Sequence, residues 1–407
     1  MALKQILTRL WHGAESGAMA KIEPKLGEIA TTRDGRDITR GYVDPNQLEL
    51  PDDTVLQTRG SGDYALYRDV LRDDHVKSAL QQRIQAVIAR PWEVRPGGSR
   101  AVDKAAAEFV RSQLDAINFD DVCSKMLQAI FYGFSVAEVL WSSDGKQIGI
   151  DAIRVRDRRR FGFDGEARLR LKTIQMPQGE LLPDRKFWIF ATGADHDDAP
   201  YGLGLGHWLY WLVWFKRNGI KFWAVALEKF GAPTGIGYFP PGALPEDQTK
   251  LLNALQAIRQ DSAVIMPEGM RAELLESKRS GSAEHGAFVA LMNAAILVVI
   301  IGQTASTQGT PGKLGNDQTQ SEVRADIVKA DADLLCASLN TSIIRWLTEW
   351  NFPNAKLPTV WRVFDNEDLA RRISIDEKIH AMGFVTDESY VTDTYGGKWK
   401  KEAEEKC

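Results

Sequence analysis

Phosphate chemistry has two possible footholds in this chain, Gly309–Leu314 (GTPGKL) and Tyr201–Gly206 (YGLGLG). A nucleotide-hydrolysing loop needs a leading glycine and, after its lysine, a hydroxyl that binds magnesium. Thr307 and Leu314 hold those two positions, so no ATP site is read there. The glycines of Tyr201–Gly206 lack a strand-turn-helix context with a later ribose-binding acid, and read as a turn entering a helix. His12, His75, His196, His207, His285 and His380 are scattered, and none forms a His-Glu-x-x-His pair. Asp195-His196-Asp197-Asp198 offers hard oxygen ligands to a cation, yet reads first as a solvated loop. No Gly-x-Ser-x-Gly elbow or Cys-His arrangement marks a nucleophile. The expectation is no catalytic set, no bound metal and no cofactor.

Contact with nucleic acid is the next chemistry to weigh. Arg154, Arg156, Arg158, Arg159, Arg160, Arg168, Arg170 and Lys172 face only Asp157, Asp164 and Glu166 along the same stretch. Alternation along strands also places such arginines in salt bridges on a sheet face, and that reading is preferred. The polar stretch 302–319 has Lys313 as its one strong phosphate partner, offset by Asp317. Gln303, Gln308, Lys313, Asn316 and Gln318 can make only weak, sequence-neutral contact, which suits a protein along which DNA slides, because every neutralised phosphate adds affinity and drag.

Composition sets the frame for these residues. The 407 residues carry 51 Lys+Arg against 55 Asp+Glu, a net charge of −4, with 44% apolar and 26% charged residues. That balance excludes disordered, collagenous and disulfide-scaffold chains and opposes coating of DNA by bulk electrostatics. Length predicts about two or three domains. Cys123, Cys336 and Cys407 are odd in number and far apart, as in a reducing compartment. Met1–Trp11 reads as a short amphipathic helix, and the protein as non-secreted. Of the 12 Trp, four (Trp208, Trp211, Trp214 and Trp223) crowd into one short segment.

The elements that must position these groups follow from periodicity. Residues 20–62 read as a loosely packed lead-in. Helices are expected over 63–89, 102–114 and 119–132, and strands over 92–95, 135–141, 148–156, 168–175 and 187–191, which makes the first half mixed α+β. An apolar, aromatic helix covers 206–230, interrupted by Lys216-Arg217-Asn218-Gly219. A compact unit follows: strand 235–239, helix 246–259, strand 263–266 and strand 271–275. A second apolar helix spans 284–301, then the irregular stretch 302–319, then a helix over 321–350. The tail carries Trp361–Phe364 (WRVF), a helix over 369–382 and a short helix after Thr386. Both long apolar helices are hydrophobic around too much of their circumference for a lone surface helix. A neighbouring copy in a ring is one way to cover them. Residues 286–302 fall just short of a membrane span of about 20 residues and contain Asn293.

Several local sequences, in order, resemble the Mu-like group of bacteriophage portal proteins. They are Asp73–Pro96 (DDHVKSALQQRIQAVIARPWEVRP), Phe119–Trp141 (FDDVCSKMLQAIFYGFSVAEVLW) and Tyr201–Gly242 (YGLGLGHWLYWLVWFKRNGIKFWAVALEKFGAPTGIGYFPPG). Ala294–Thr307 (AAILVVIIGQTAST), followed by the polar stretch and Gln320–Asn340 (QSEVRADIVKADADLLCASLN), completes the set. The resemblance runs from about Tyr64 to Gly383.

It implies an α+β portal fold assembled as a dodecameric ring at a capsid vertex, through which double-stranded DNA passes without sequence specificity. It implies an N-terminal arm (1–62), an α/β wing (63–205), stem helices (206–230 and 284–301) and a small αβ clip (231–283). A tunnel loop (302–319), a channel-side helix with wing return (320–365) and a short, crown-like helical C-terminal region (366–407) follow. On this reading Trp208, Trp211, Trp214, Phe215 and Trp223 form the oligomer interface, and Gln303, Gln308, Lys313, Asn316 and Gln318 face the DNA channel. Terminase, which supplies ATP hydrolysis, the major capsid or scaffolding protein and a head-to-tail connector are the implied partners. Assembly in the host cytoplasm, residence in the virion and no membrane complete the expectation. The alternatives are a membrane-associated protein using 286–302 and a metal-dependent DNA-modifying enzyme built on the 154–172 strip and the 195–198 cluster.

Overall fold

Helix caps and apolar spacing set the first elements of the computed structural model, which describes residues 47–230, 234–258, 271–275, 281–303, 317–364, 369–385 and 387–395. Met1–Trp11 and the expected strand 263–266 lie outside the described residues. The chain opens with α1 (Thr54–Arg59), α2 (Ala65–Val70) and α3 (Asp74–Ile88). Residues 47–62, expected to be loose, are docked: Val55 and Leu56 are buried and Leu48 bridges to Asp164. Two apolar residues on one helical turn are too few to create a periodic signal, yet enough to hold it to the core. The single helix expected over 63–89 is divided. The Asp73 carboxylate accepts from the N–H groups of His75 (3.1 Å) and Val76 (3.2 Å), so it starts α3 as an N-cap.

Next come β1 (Trp92–Arg95), α4 (Ala101–Asp115), α5 (Phe119–Met126) and α6 (Ala129–Tyr132). The helix expected over 119–132 breaks at Leu127–Gln128. Strands β2 (Phe134–Ser143), β3 (Ile148–Arg156), β4 (Phe161–Phe163), β5 (Leu169–Leu171), β6 (Glu180–Leu181) and β7 (Phe187–Ala191) then form two antiparallel sheets, ordered β3-β2-β7 and β4-β5-β6. Gly133 joins α6 to β2 at φ 99°, and a Cβ there would lie 2.6 Å from the Tyr201 carbonyl oxygen, so only glycine fits. The core centres on Phe131, Phe134, Phe163, Trp188 and Phe190, all essentially inaccessible. Tyr201 closes one side of it, its hydroxyl donating to the Glu49 carbonyl (2.8 Å) and accepting from the Phe163 N–H (2.9 Å).

Two long helices, α7 (Gly206–Phe230) and, after an intervening unit, α9 (Gly281–Ile301), leave this body. The unit between them pairs β8 (Thr234–Tyr238) with β9 (Arg271–Leu275) antiparallel, and α8 (Pro245–Ile258) packs on β8 through Leu251 against Gly237. The chain returns as α10 (Asp317–Leu339), a π-helical turn (Asn340–Ile344), α11 (Arg345–Asn351) and β10 (Thr359–Arg362), which pairs antiparallel with β1. The π turn interrupts what periodicity predicted as one helix over 321–350. Its first residue is tied sideways, because Asn340 donates to the Val360 carbonyl (3.0 Å) and accepts from the Val360 N–H (2.8 Å). Asn351 clasps Ile148 in the same two-bond manner, at 2.9 and 2.8 Å. Helices α12 (Leu369–Ala381) and α13 (Glu388–Tyr395) end the described chain, joined where Asp376 accepts from the hydroxyls of Tyr390 (3.0 Å) and Tyr395 (2.5 Å).

Arg362 locks this return. Its side chain is 1% exposed and donates to the carbonyls of Ile88 (3.1 Å) and Arg90 (2.7 Å) and to Asp120 (2.6 Å). Removing a buried cation leaves its acceptors desolvated and unpaired. Arg362→Met is therefore expected to lower unfolding free energy by about 3 kcal/mol, read from urea denaturation; an unchanged midpoint would show that the clasp is dispensable.

Candidate functional site

Exposure singles out the α7–α9 pair. Gly219 lies against Phe288, where a Cβ would meet the ring at 2.8 Å, and Gly286 lies 3.9 Å from the Trp223 ring by the same construction. Those two contacts run in opposite chain directions, so the helices are antiparallel. The ends nearest the body are buried. On α7, Leu209, Val213 and Lys216 face inward at helical spacing; on α9, Ile296, Leu297, Ile300 and Ile301 do so. Beyond them, no residue from 217 to 228 or from 284 to 295 is buried.

Charge, unusually, anchors this apolar pair. Lys216, 5% exposed, donates to Asp73 (2.8 Å) and Asp74 (2.8 Å) at the start of α3, and its Nζ lies 3.3 Å from His75 Nδ1. Asp73, Asp74 and His75 have the spacing of a metal site, but the ammonium occupies their midst, so the cation there is Lys216 itself. Arg217 grips Asp69 and its carbonyl (2.7 Å) alongside. At the α9 end, Arg83 donates to both oxygens of Asp331 (2.6 and 2.8 Å) and to the Ile300 carbonyl (2.6 Å). That places a cation at the negative end of the α9 dipole. Lys216-Arg217-Asn218-Gly219, expected to interrupt the helix, is thus the continuous segment that fastens it.

The surface left bare is patterned. Trp208, Trp211, Phe215, Phe222 and Val225 are respectively 56%, 38%, 47%, 64% and 40% exposed. With Asn218 they recur at alternating steps of three and four, the seam of a helix that packs against another helix. The sequence-expected residues Trp208, Trp211 and Phe215 share this seam, and Trp214 flanks it, also exposed. Trp223 does not share it: its ring leans on Gly286 of α9, and its Nε1 is shielded without a hydrogen-bond partner. Phe222 and Val225 lie outside the sequence expectation, which rests on tryptophan crowding; alternating steps of three and four from Trp208 reach both. A second bare strip on α9 includes Ala287, Leu291 and Val298.

Glu284–Ile301 is long and apolar enough to cross a bilayer, and 22% of it is buried. One face of its last turns, however, packs into the body through Ile296, Leu297, Ile300 and Ile301, and Arg83 holds the Ile300 carbonyl.

The other expected sites fare differently. Gln303 is buried, 8% exposed, with Oε1 unpartnered. It follows Gly302, whose positive φ of 73° turns the backbone onto Ile327 of α10. Gln308, Lys313 and Asn316 lie outside the described residues. Gln318 lies in the first turn of α10, because the helix begins at Asp317, an aspartate suited to a helix start, and not near Ser321. In the basic strip, Arg156 pairs with Glu138 (2.8 Å), Arg159 with Asp157 (2.9 Å), and Arg168 (3.0 Å) and Arg170 (2.6 Å) with Asp164. Asp195, His196 and Asp197 are exposed on a loop, with His196 3.5 Å from Asp195.

Substituting Lys216 strands a buried carboxylate. Lys216→Met is expected to destabilise the protein by about 3 kcal/mol in chemical denaturation at neutral pH. The hydrogen bond from Lys216 holds the Asp74 carboxyl well below its usual range. A folded-state value below the unfolded one adds stability above the ordinary carboxylate range, lost as pH falls through the folded value. The gap between wild type and variant therefore shrinks in strong acid; a gap independent of pH would refute the assignment.

Comparison with known proteins gives the family and the fold. Residues 64–397 match the family described as the portal protein of Mu bacteriophage. The portal protein of Escherichia phage Mu is 28% identical over 318 residues, covering 76% of this chain and 61% of that protein. The Mu-like prophage FluMu protein gp29 of Haemophilus influenzae is 27% identical over 283 residues, covering 67% and 54% respectively. The chain therefore spans less than two thirds of the length of these curated relatives. Among solved structures, a chain from the virion of a native gene transfer agent particle has a TM-score of 0.58 at 13% identity, covering 81% of this chain and 92% of that one. One from the neck of the native particle, computed with C12 symmetry, has a TM-score of 0.52 at 13% identity, covering 86% and 96%. At such identity the likeness is one of α+β fold.

Proposed function

Because the chain belongs to the family of Mu bacteriophage portal proteins, we propose that it forms a dodecameric ring at the capsid vertex of a Mu-like phage. This ring is the conduit for DNA packaging and ejection. The observation that carries the reading is the bare aromatic seam of α7, Trp208, Trp211, Phe215, Phe222 and Val225. Contiguous apolar surface of this kind marks an interaction site, and its spacing suits a helix. In a ring the contact is heterologous, so the seam of one copy meets a different face of the next; the bare strip of α9 at Ala287, Leu291 and Val298 is that face. The C12 symmetry of the similar gene transfer agent neck supports twelve copies.

On this reading 63–205 is the wing, to which 47–62 adds its docked turn, and 206–230 with 284–301 is the stem. Residues 231–283 form the clip that meets the connector, 302–319 the tunnel loop, 320–365 the channel-side helix and wing return, and 366–407 a short crown-like region. The ring is non-enzymatic. Terminase supplies ATP hydrolysis, and the major capsid or scaffolding protein holds the ring in the virion. The net charge of −4 agrees with a channel that must not grip DNA. The membrane reading is disfavoured because the last turns of α9 are clamped within the body. The nuclease reading is disfavoured because Arg156, Arg159, Arg168 and Arg170 are paired and Asp195, His196 and Asp197 are open to solvent.

Replacing Trp208, Trp211 and Phe215 together by Ser removes on the order of 2 kcal/mol of apolar contact per residue from each interface. Native mass spectrometry of the wild-type chain is expected to give a ring of about twelve copies, and the triple variant a folded monomer or short oligomers. A wild-type chain that stays monomeric at micromolar concentration, or a variant that still closes rings, would overturn the proposal.

A further inference from the structure

A cleft of about 290 Å³ on the α+β body is lined by cations from four elements, and it has no part in the contacts proposed above. Arg68 of α2, Lys125 of α5, Arg156 at the end of β3, and Arg158 and Arg159 of the following turn surround it, with Tyr132 as one wall. Three carboxylates serve these five cations. Asp157 is shared by Arg68 (2.8 Å) and Arg159 (2.9 Å), Glu138 takes Arg156 (2.8 Å) and Asp121 takes Lys125 (2.5 Å). Five minus three leaves an excess of two positive charges: one where Arg68 and Arg159 share Asp157, the other on Arg158. Arg158 stacks on the Tyr132 ring, 3.8 Å from its centroid. Through Nη1 alone it donates to the Phe134 carbonyl and, at 3.4 Å, to Ser135 Oγ. Among the described residues no carboxylate pairs with it. Burial lowers its pKa to about 10, as expected of a guanidinium that has lost water without gaining a full counter-charge.

We propose that this cleft is a docking site for an extended, glutamate- or aspartate-rich segment of a partner protein, with Arg158 receiving a carboxylate from it. A planar guanidinium with free N–H groups matches a carboxylate in bidentate geometry. The site is concave and its unmatched cation lies at the bottom. A carboxylate on a side-chain stem can enter; the phosphates of a duplex, carried on a wide convex rod, meet only the rim. The acidic balance of the chain, −4, further disfavours nucleic acid as the occupant. The proposal stands on the cleft and does not depend on ring assembly.

The test is fluorescence anisotropy of a labelled glutamate–alanine peptide of about ten residues, titrated with the full chain at about 50 mM salt, where a Debye length leaves such attraction measurable. Saturable binding with Kd on the order of 10 μM is expected. Arg158→Gln weakens it. Because that change sits in a packed site, the pair Arg68→Gln with Arg159→Gln is the second variant; both side chains are partly exposed, at 50% and 39%, and thermal melting checks the fold. A loss of about tenfold is expected for the pair. Arg111→Gln with Arg345→Gln removes the same charge elsewhere, from side chains 60% and 54% exposed, and leaves binding unchanged. Absence of saturable binding, equal weakening by that control pair, or displacement of the peptide by a short DNA duplex at lower concentration than by unlabelled peptide overturns the proposal.

Discussion

Lys216 joins two physical regimes that otherwise exclude each other. Around it α7 is apolar and aromatic, yet its ammonium is buried between Asp73 and Asp74 at the head of α3. A desolvated ion pair contributes little net stability when intact and costs a great deal when broken. Its effect is to fix position: α7 leaves the body at one height and one rotation. Rotation decides which residues are bare. With Leu209, Val213 and Lys216 turned inward, Trp208, Trp211, Phe215 and Phe222 are turned outward. Arg83 does the corresponding work for α9 through Asp331 and the Ile300 carbonyl. The seam therefore depends on polar contacts made where the helices meet the body.

The same division of labour runs through the rest of the chain. Charged groups near the body are mostly consumed internally: Asp164 takes Arg168 and Arg170, Glu138 takes Arg156, and Arg362 ties α3, α5 and β10 together. Apolar groups are instead left uncovered along the outward face of α7, from Trp208 to Val225, where another copy can reach them.

Long periodic segments were legible in the sequence because their signal is intrinsic: β3 and β7 lie over the expected ranges, and α7 runs over 206–230 as read. What escaped was set by single polar contacts or by tertiary packing. Asp73 splits a helix that periodicity joins, since one carboxylate outweighs a continuing apolar stripe when it caps two N–H groups. The π turn at Asn340 reflects a clasp on Val360, a residue distant in sequence and invisible to any local pattern. Lys216-Arg217-Asn218-Gly219 reads as a break because charge inside an apolar helix has no partner in the sequence window; its partners are in α2 and α3. For the seam, residue type located Trp208, Trp211 and Phe215. Distinguishing Phe222 from Trp223 required knowing the face turned to α9.

In the proposed ring the seam of α7 is covered by another copy of the chain. A photoreactive phenylalanine analogue placed at Trp211 in the purified assembly reads this directly, because it bonds covalently to whatever lies against the seam. The expected result is an intermolecular cross-link whose peptide map falls within 284–301 of a second copy. Cross-links confined to the same chain, or to added lipid or detergent alone, would contradict it.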